Sequence, residues 1–261
     1  MEFLEQVVNQ IDHQLKSSAI TPFSYFIESE KIKIHYVRIE HFNSSTYQTA
    51  VRLLKANHSF FITVFEDQFK LEPQKVIERL KYHIGESKRI HGRDTNVEKI
   101  SKPEAFEFLN QNHSNVPLKA KYNYGLKNKS GDLVALASFG QVINMRNGNK
   151  SSELIRFCNK LGNRVVGGLS KLLLHFKNTH NIDELMTYCD AEWSDGKNYE
   201  KLGFIKIDDL PPTNFVVHLP TWQRTHSEKF QKENDMTNLN FDDYRTVQNL
   251  GSIKFIKSFN D

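Results

Sequence analysis

Hydrophobic positions recur at helical spacing from Phe3 to Leu15, where Phe3, Leu4, Val7, Val8, Ile11 and Leu15 share one stripe and predict an amphipathic helix. Residues 17–22, ending in Pro22, break it. Residues 31–39 (KIKIHYVRI) alternate instead, which puts Ile32, Ile34, Tyr36 and Arg38 on one face of a strand. Ser44 or Ser45 offers a hydroxyl cap for a helix through residues 46–58, and Phe60–Phe65 reads as a short buried strand. Pro73 stands where the first turn of a helix tolerates it, and that helix stops at Gly85. The result is a strand–helix–strand–helix region, small for a domain that folds alone.

After a basic, polar connection (86–101), Ser101 caps a helix with Pro103 in its first turn and Glu104 at the capping-box position. Strands at 120–128 and 133–140 flank a tight KSGD turn, and a third strand follows at 154–159. A helix begins at Arg164 or at the glycines after it, with Leu169, Leu172, Leu173 and Phe176 on its apolar face. Residues 184–190 return as a strand, a short helix ends at Gly203, and strands follow at 204–207, 214–219 and 252–259. Hairpin-connected strands that then feed helical crossovers predict an α/β fold with a mixed sheet and helices on its faces. The expected division is an N-terminal α/β region over 1–90 and a larger domain over 91–261.

Composition narrows the class. The 261 residues are 38% hydrophobic and 25% charged, which is globular, and no apolar run is long enough to span a membrane. The first residues lack the basic flank of a signal peptide, and the two cysteines, Cys158 and Cys189, form neither a disulfide framework nor a zinc site, so a cytoplasmic protein without metal is expected. The net charge of +4 is mild, but eleven Lys or Arg face only Asp132 and Glu153 between His113 and His180. Such a segment either attracts polyanions in a salt-dependent way or forms an ordinary solubilising face.

Two local features carry chemistry. Gly162, Gly167 and Gly168 crowd a helix start, where Gly is disfavoured; either an anionic ligand approaches the backbone there or the helix packs tightly on the sheet. No GxGxxG opens a helix, which argues against NAD or FAD. Tyr199 projects from the short helix that Gly203 terminates, where its hydroxyl can donate a proton or simply cap a packed ring.

Arg164-Val165-Val166-Gly167-Gly168-Leu169 and Tyr199-Glu200-Lys201-Leu202-Gly203-Phe204 together resemble the GCN5-related N-acetyltransferase family. In that family an Arg/Gln-x-x-Gly-x-Gly/Ala turn wraps a cofactor pyrophosphate and a Tyr-x-x-Leu-Gly-Phe segment closes its far side. This chain departs by placing Leu169 at a small-residue position, while its Tyr199 to Phe204 segment keeps the spacing of the second pattern. Residues 93–220, including Arg156-Phe157-Cys158 and Asp190 to Trp193, resemble more closely a bacteriophage group attached to homing-endonuclease-like proteins and related to the Mom DNA-modification protein. The stretch around Glu66 and Asp67 is similar to the tail of the nuclease portion of such proteins, without a complete PD-(D/E)xK metal core.

The resemblance implies an acyl-CoA N-acyltransferase-like core that uses acetyl-CoA or another acyl-CoA and acts on or near nucleic acid in a bacterial, phage-encoded setting. The implied cofactor residues are Asn163, Arg164, Gly167, Gly168, Leu169, Ser170 and Lys171. Acid–base candidates are Asp190, Tyr199, Glu153 and His113. For a DNA partner, Arg89, Arg93, Lys119, Lys121 and Arg146 would hold phosphates and Trp193 would stack on an extruded base. Alternatives are a non-catalytic DNA-binding protein and an N-acetyltransferase for a small amine or protein. Alternation near residues 31–39 leaves strand pairing between copies open.

Overall fold

A computed structural model describes residues 2–259. The chain opens with α1 (Glu2–Gln10), the hairpin β1 (Lys16–Thr21) and β2 (Ser24–Glu28), then β3 (Lys33–Val37), α2 (Ser44–Asn57) and β4 (Ile62–Phe65). Helices α3 (Glu66–Leu71) and α4 (Pro73–His83) lead to β5 (Lys88–His91), β6 (Asn96–Lys99) and α5 (Lys102–Asn112). Next come β7 (Tyr122–Lys127), β8 (Leu133–Phe139), β9 (Ile143–Asn144), β10 (Lys150–Asn159), β11 (Asn163–Val166) and α6 (Gly168–His180). The chain continues through β12 (Glu184–Asp190), α7 (Lys197–Glu200), β13 (Ile205–Leu210), β14 (Asn214–His218), β15 (Gln223–His226) and α8 (Ser227–Glu233). It closes with β16 (Tyr244–Gln248) and β17 (Ser252–Ser258).

These elements form two compact units. The first gathers the residues up to Leu80 with Asp190–Asp195 and Asp209–Ser252; the second holds Lys81–Cys189, Gly196–Asp208 and the residues from Ile253 on.

In the first unit, β1-β2-β3-β4 form a sheet whose last pair is parallel. The alternation in β3 predicts one buried face, yet Ile34, His35, Tyr36 and Val37 are all buried. The cause is that both faces are covered. Phe3 of α1 stacks on Tyr36 at 4.2 Å, while Tyr47, Val51 and Leu54 of α2 join Val37 and Phe65 in one apolar cluster. Val217 of β14 and Val247 of β16 complete that cluster from the three-stranded sheet β15-β14-β16. Asn43, not Ser44 or Ser45, caps α2, its Oδ1 accepting from the Thr46 amide at 3.0 Å. The first helix ends early at Gln10, because Asp12 turns the chain by accepting from the Gln14 amide.

Asp67, at the start of α3, lies in a different setting from a metal-binding carboxylate. Arg224 of β15 donates to both its oxygens, Nε to Oδ2 and Nη2 to Oδ1, each at 2.7 Å. The guanidinium also lies over the Phe65 ring at 4.7 Å. This two-point geometry is the strongest form of ion pairing, and it ties α3 to β15 within the apolar cluster.

The second unit carries a mixed sheet in the order β13-β17-β12-β10-β8-β7-β6, with β9 beside β10. Strands β6, β7, β8 and β10 are antiparallel neighbours, and β10 and β12 are parallel. Helix α6 makes the crossover between them and packs on β6, β7 and β8, with the Phe139 and Phe176 rings stacked at 3.9 Å. Helix α5 packs on β8 and β10, capped by Ser101 as predicted. The mixed α/β class expected from the sequence is the one found. Two stretches differ from the sequence reading: the basic connection supplies β5 and β6, and residues 163–166, where the helix could have begun at Arg164, form β11, which pairs in parallel with β5.

Removing one partner of the buried pair leaves an uncompensated charge, so Asp67→Ala or Arg224→Ala should each lower stability by about 3–5 kcal/mol. Urea denaturation should show both losses, and the double variant should lose less than their sum.

Candidate functional site

The site begins where two strands part. Pairing between β10 and β12 runs from Ser151–Glu184 to Leu154–Thr187 and stops there, although β10 continues to Asn159 and β12 to Asp190. At the same point β10 is bulged: Leu154 pairs with Phe139 and Arg156 with Ser138, so Ile155 is an extra residue. A bulge increases local twist and turns a strand away from a neighbour. The Thr187 hydroxyl donates to the Leu154 carbonyl at 3.0 Å and marks the end of the ladder. Beyond it, residues 156–159 remain paired with β8 on one side, while the ladder with β12 on the other has ended. Phe157 is half-buried, and Cys158 packs on the other face against the apolar cluster under α5.

The turn after β10 is built by side-chain amides. Asn159 Oδ1 accepts from the Val165 amide at 3.2 Å, and Asn112 Oδ1, from the end of α5, accepts from the Leu161 amide at 2.8 Å. Asn163 donates its own amide to the Leu161 carbonyl. A cavity of about 320 Å³ opens beside this turn, lined by Lys88, Asn128, Asp132, Lys160, Gly162 and Asn163 among others.

The two glycines before α6 have different causes. Gly167 precedes the helix with φ +73°, a left-handed conformation that glycine adopts without strain, and a Cβ there would meet open space. Gly168 is buried, and a Cβ on it would come within 2.9 Å of the Val165 side chain and 3.1 Å of Leu126. Tight packing therefore explains Gly168, while Gly167 leaves the helix entrance accessible. Leu169 is half-buried and Ser170 exposed.

The two cations expected at this turn are engaged elsewhere. The Lys171 ammonium donates to the Gly92 carbonyl at 2.9 Å and to the Thr95 carbonyl. The Arg164 guanidinium lies over the Tyr82 ring at 5.1 Å. The backbone amides that open α6 are what the turn itself presents to an anion.

The acid–base candidates lie on different elements. Glu153 is half-buried on β10, opposite Met186 and one residue before the last paired position. Tyr199 projects from α7 with its ring against Phe204 at 5.4 Å and Phe255 at 5.6 Å. Asp190, the last residue of β12, belongs to the first unit and caps a turn, Oδ1 accepting from the Glu192 amide at 3.0 Å. His113 ends α5 and accepts from the Asn115 amide through Nδ1 at 2.9 Å. Trp193 is only 2% exposed and lies under Arg79 at 4.2 Å, so this ring is not placed to stack on a base. Arg89, Arg93, Lys119, Lys121 and Arg146 are all exposed.

Sequence reasoning missed Asn112, Asn159 and Thr187, which shape the turn and end the ladder. Their only trace was the Asn112–His113 pair at a helix end. Among the described residues no group of His, Cys, Asp and Glu is arranged to hold a metal ion, and no helix is long and apolar enough to cross a membrane.

Gly168→Ala should force Val165 and Leu126 apart and destabilise the fold by about 1–3 kcal/mol. Gly167→Ala should cost about 1 kcal/mol from its positive φ alone. Thermal denaturation of the two variants separates the packing glycine from the conformational one.

Neither a protein-family model nor a curated protein matches this chain. Among solved structures, spermidine/spermine N-acetyltransferase from Vibrio cholerae is similar over 64% of this chain and 94% of its own, at 10% identity and a TM-score of 0.40. A histone acetyltransferase HPA2-related acetyltransferase from Corynebacterium glutamicum covers 63% and 96%, at 11% identity and a TM-score of 0.40. The ribosomal-protein-S18-alanine N-acetyltransferase from Escherichia coli covers 64% and 95%, at 11% identity and a TM-score of 0.39.

Proposed function

We propose that the second unit is an acyl-CoA-dependent N-acyltransferase whose cofactor enters between β10 and β12. The observation that carries this reading is the end of their hydrogen-bond ladder at Leu154 and Thr187, beside a bulge and ahead of an open helix entrance. An extended, amide-bearing chain can continue the sheet on the β10 edge by strand addition. The pyrophosphate end fits the entrance of α6, because the position a Cβ would fill at Gly167 is open. When bound, an acyl-CoA supplies the activated thioester carbonyl.

This chain's residues do the rest. The backbone of residues 155–159 aligns the arm that carries the thioester. Glu153, one residue before the parting, takes a proton from the acceptor amine as it attacks. Tyr199, its ring oriented by Phe204 and Phe255, returns a proton to the departing thiolate. Asp190 acts as a turn cap that fixes the chain after β12.

The exposed Arg89, Arg93, Lys119, Lys121 and Arg146 support an acceptor amine carried on a polyanion such as DNA, the modification chemistry that the phage-type resemblance implies. Buried Trp193 contributes nothing to such a contact, so affinity would rest on phosphate charge and fall steeply with salt.

Calorimetric titration with acetyl-CoA tests the cofactor: the wild-type chain should bind, and Gly167→Ala should bind roughly tenfold more weakly, the effect of about 1.4 kcal/mol. A folded chain that ignores millimolar acetyl-CoA refutes the reading. Glu153→Gln should lower turnover by about 10²–10⁴ while leaving acetyl-CoA affinity unchanged. A gel shift with duplex DNA that is absent at low salt removes the polyanion-borne acceptor but not the transferase.

A further inference from the structure

The first unit buries a polar cluster that acyl transfer does not use. The Thr63 amide of β4 donates to the Glu192 carbonyl at 2.8 Å, which fastens the segment Asp190–Asp195 to that strand at Glu192. Glu192 is 2% exposed; its Oε2 accepts from Gln68 Nε2 at 3.1 Å, and its Oε1 has no hydrogen-bond partner among the described residues. Asp190 precedes it, Asp67 and Gln68 face it from α3, Arg224 from β15, and the Tyr47 hydroxyl from α2. His35 of β3 stacks on Tyr47 with ring centroids 5.8 Å apart. Asp67 and Glu192 therefore share one guanidinium, and Asp67 already occupies it through two 2.7 Å bonds. Glu192 is left without a cation of its own in a water-excluded site. An ionised carboxylate is poorly tolerated there, whereas an uncharged carboxylic acid is not.

We propose that Glu192 is a proton-operated clasp: as a neutral acid it holds the segment Asp190–Asp195 in the first unit, and its ionisation loosens that segment. Two further anchors, the Ala191 amide on the Gly251 carbonyl at 3.3 Å and Arg79 over Trp193 at 4.2 Å, involve no group that titrates near neutrality. Among the described residues the only side-chain hydrogen bond to the Glu192 carboxyl comes from Gln68, a neutral donor, so none of them rewards ionisation with a salt bridge.

Burial, followed by the neighbouring Asp190 charge, pushes the Glu192 carboxyl up from 4.5 to about 8. The folded chain then keeps a proton that the unfolded chain has lost, so stability falls as pH rises from 4.5 to about 8 and levels off above. His35 acts with the opposite sign: burial pulls it from 6.5 down to about 4, so its effect fades as pH climbs to 6.5. The window from pH 6.5 to 8 therefore belongs to Glu192.

The test uses the full chain and the isosteric variant Glu192→Gln, which keeps the shape and cannot ionise. Denaturation between pH 6.5 and 8 should show the wild-type folding constant falling relative to that of the variant, by up to about tenfold per pH unit. Hydrogen exchange, corrected for its intrinsic pH dependence, should show residues 60–68 and 190–195 losing protection in the same window in wild type only. Parallel pH profiles for the two proteins would overturn the clasp. If Glu192→Gln fails to fold, the infrared band of a protonated carboxylic acid in the wild-type chain decides: it should be present at pH 6.5 and titrate away near pH 8. Its absence at pH 6.5 sinks the proposal. Neither measurement involves acyl-CoA, so the clasp and the transferase reading stand or fall separately.

Discussion

The hydrogen-bond ladder between β10 and β12 ends after Leu154 and Thr187, and the functional interpretation depends on that single interruption. A parallel pair inside a sheet ordinarily continues until one strand runs out, because each unpaired backbone group in a sheet interior is unfavourable. Here neither strand has run out. The bulge at Ile155 shifts the register of β10 against β8 by one residue, and the added local twist falls where its opposite edge leaves β12. The Thr187 hydroxyl satisfies the last carbonyl, Leu154, so the opening starts at a defined residue. A sheet that parts at its centre presents backbone donors and acceptors to an extended ligand without unfolding any element.

The turn beyond β10 shows how similar residues divide into unlike roles. Gly167 is needed for its backbone angle and Gly168 for the absence of a side chain. The cations at 164 and 171, which a sequence reader assigns to an anion, instead hold the protein to itself, one over Tyr82 and the other on the carbonyls of Gly92 and Thr95. An anion at this helix would be bound by amides and the helix dipole more than by side-chain charge.

In the first unit, electrostatics follows from an imbalance. One buried guanidinium serves Asp67 fully, and Glu192 must settle for the amide of Gln68. A site that is short of positive charge and closed to water stabilises a protonated acid, and so couples the packing of a connecting segment to pH.

Much of this was legible in the chain. Residues 184–190 became β12 with no change of boundary, Ser101 caps α5, and Leu172, Leu173 and Phe176 are buried on α6, because periodicity and capping are local properties that neighbouring residues enforce. What the sequence by itself determined was the mixed α/β class, a subset of its elements and a glycine-rich start to α6. Tertiary structure alone decided that β3 is covered on both faces, that residues 163–166 pair with β5, and that β10 and β12 separate at Leu154. It also decided that Trp193 is buried and Asp67 is paired with a residue 157 positions away. Each of these depends on which distant segment supplies the partner, and a hydrogen bond or a buried charge leaves no periodic mark along the chain that makes it.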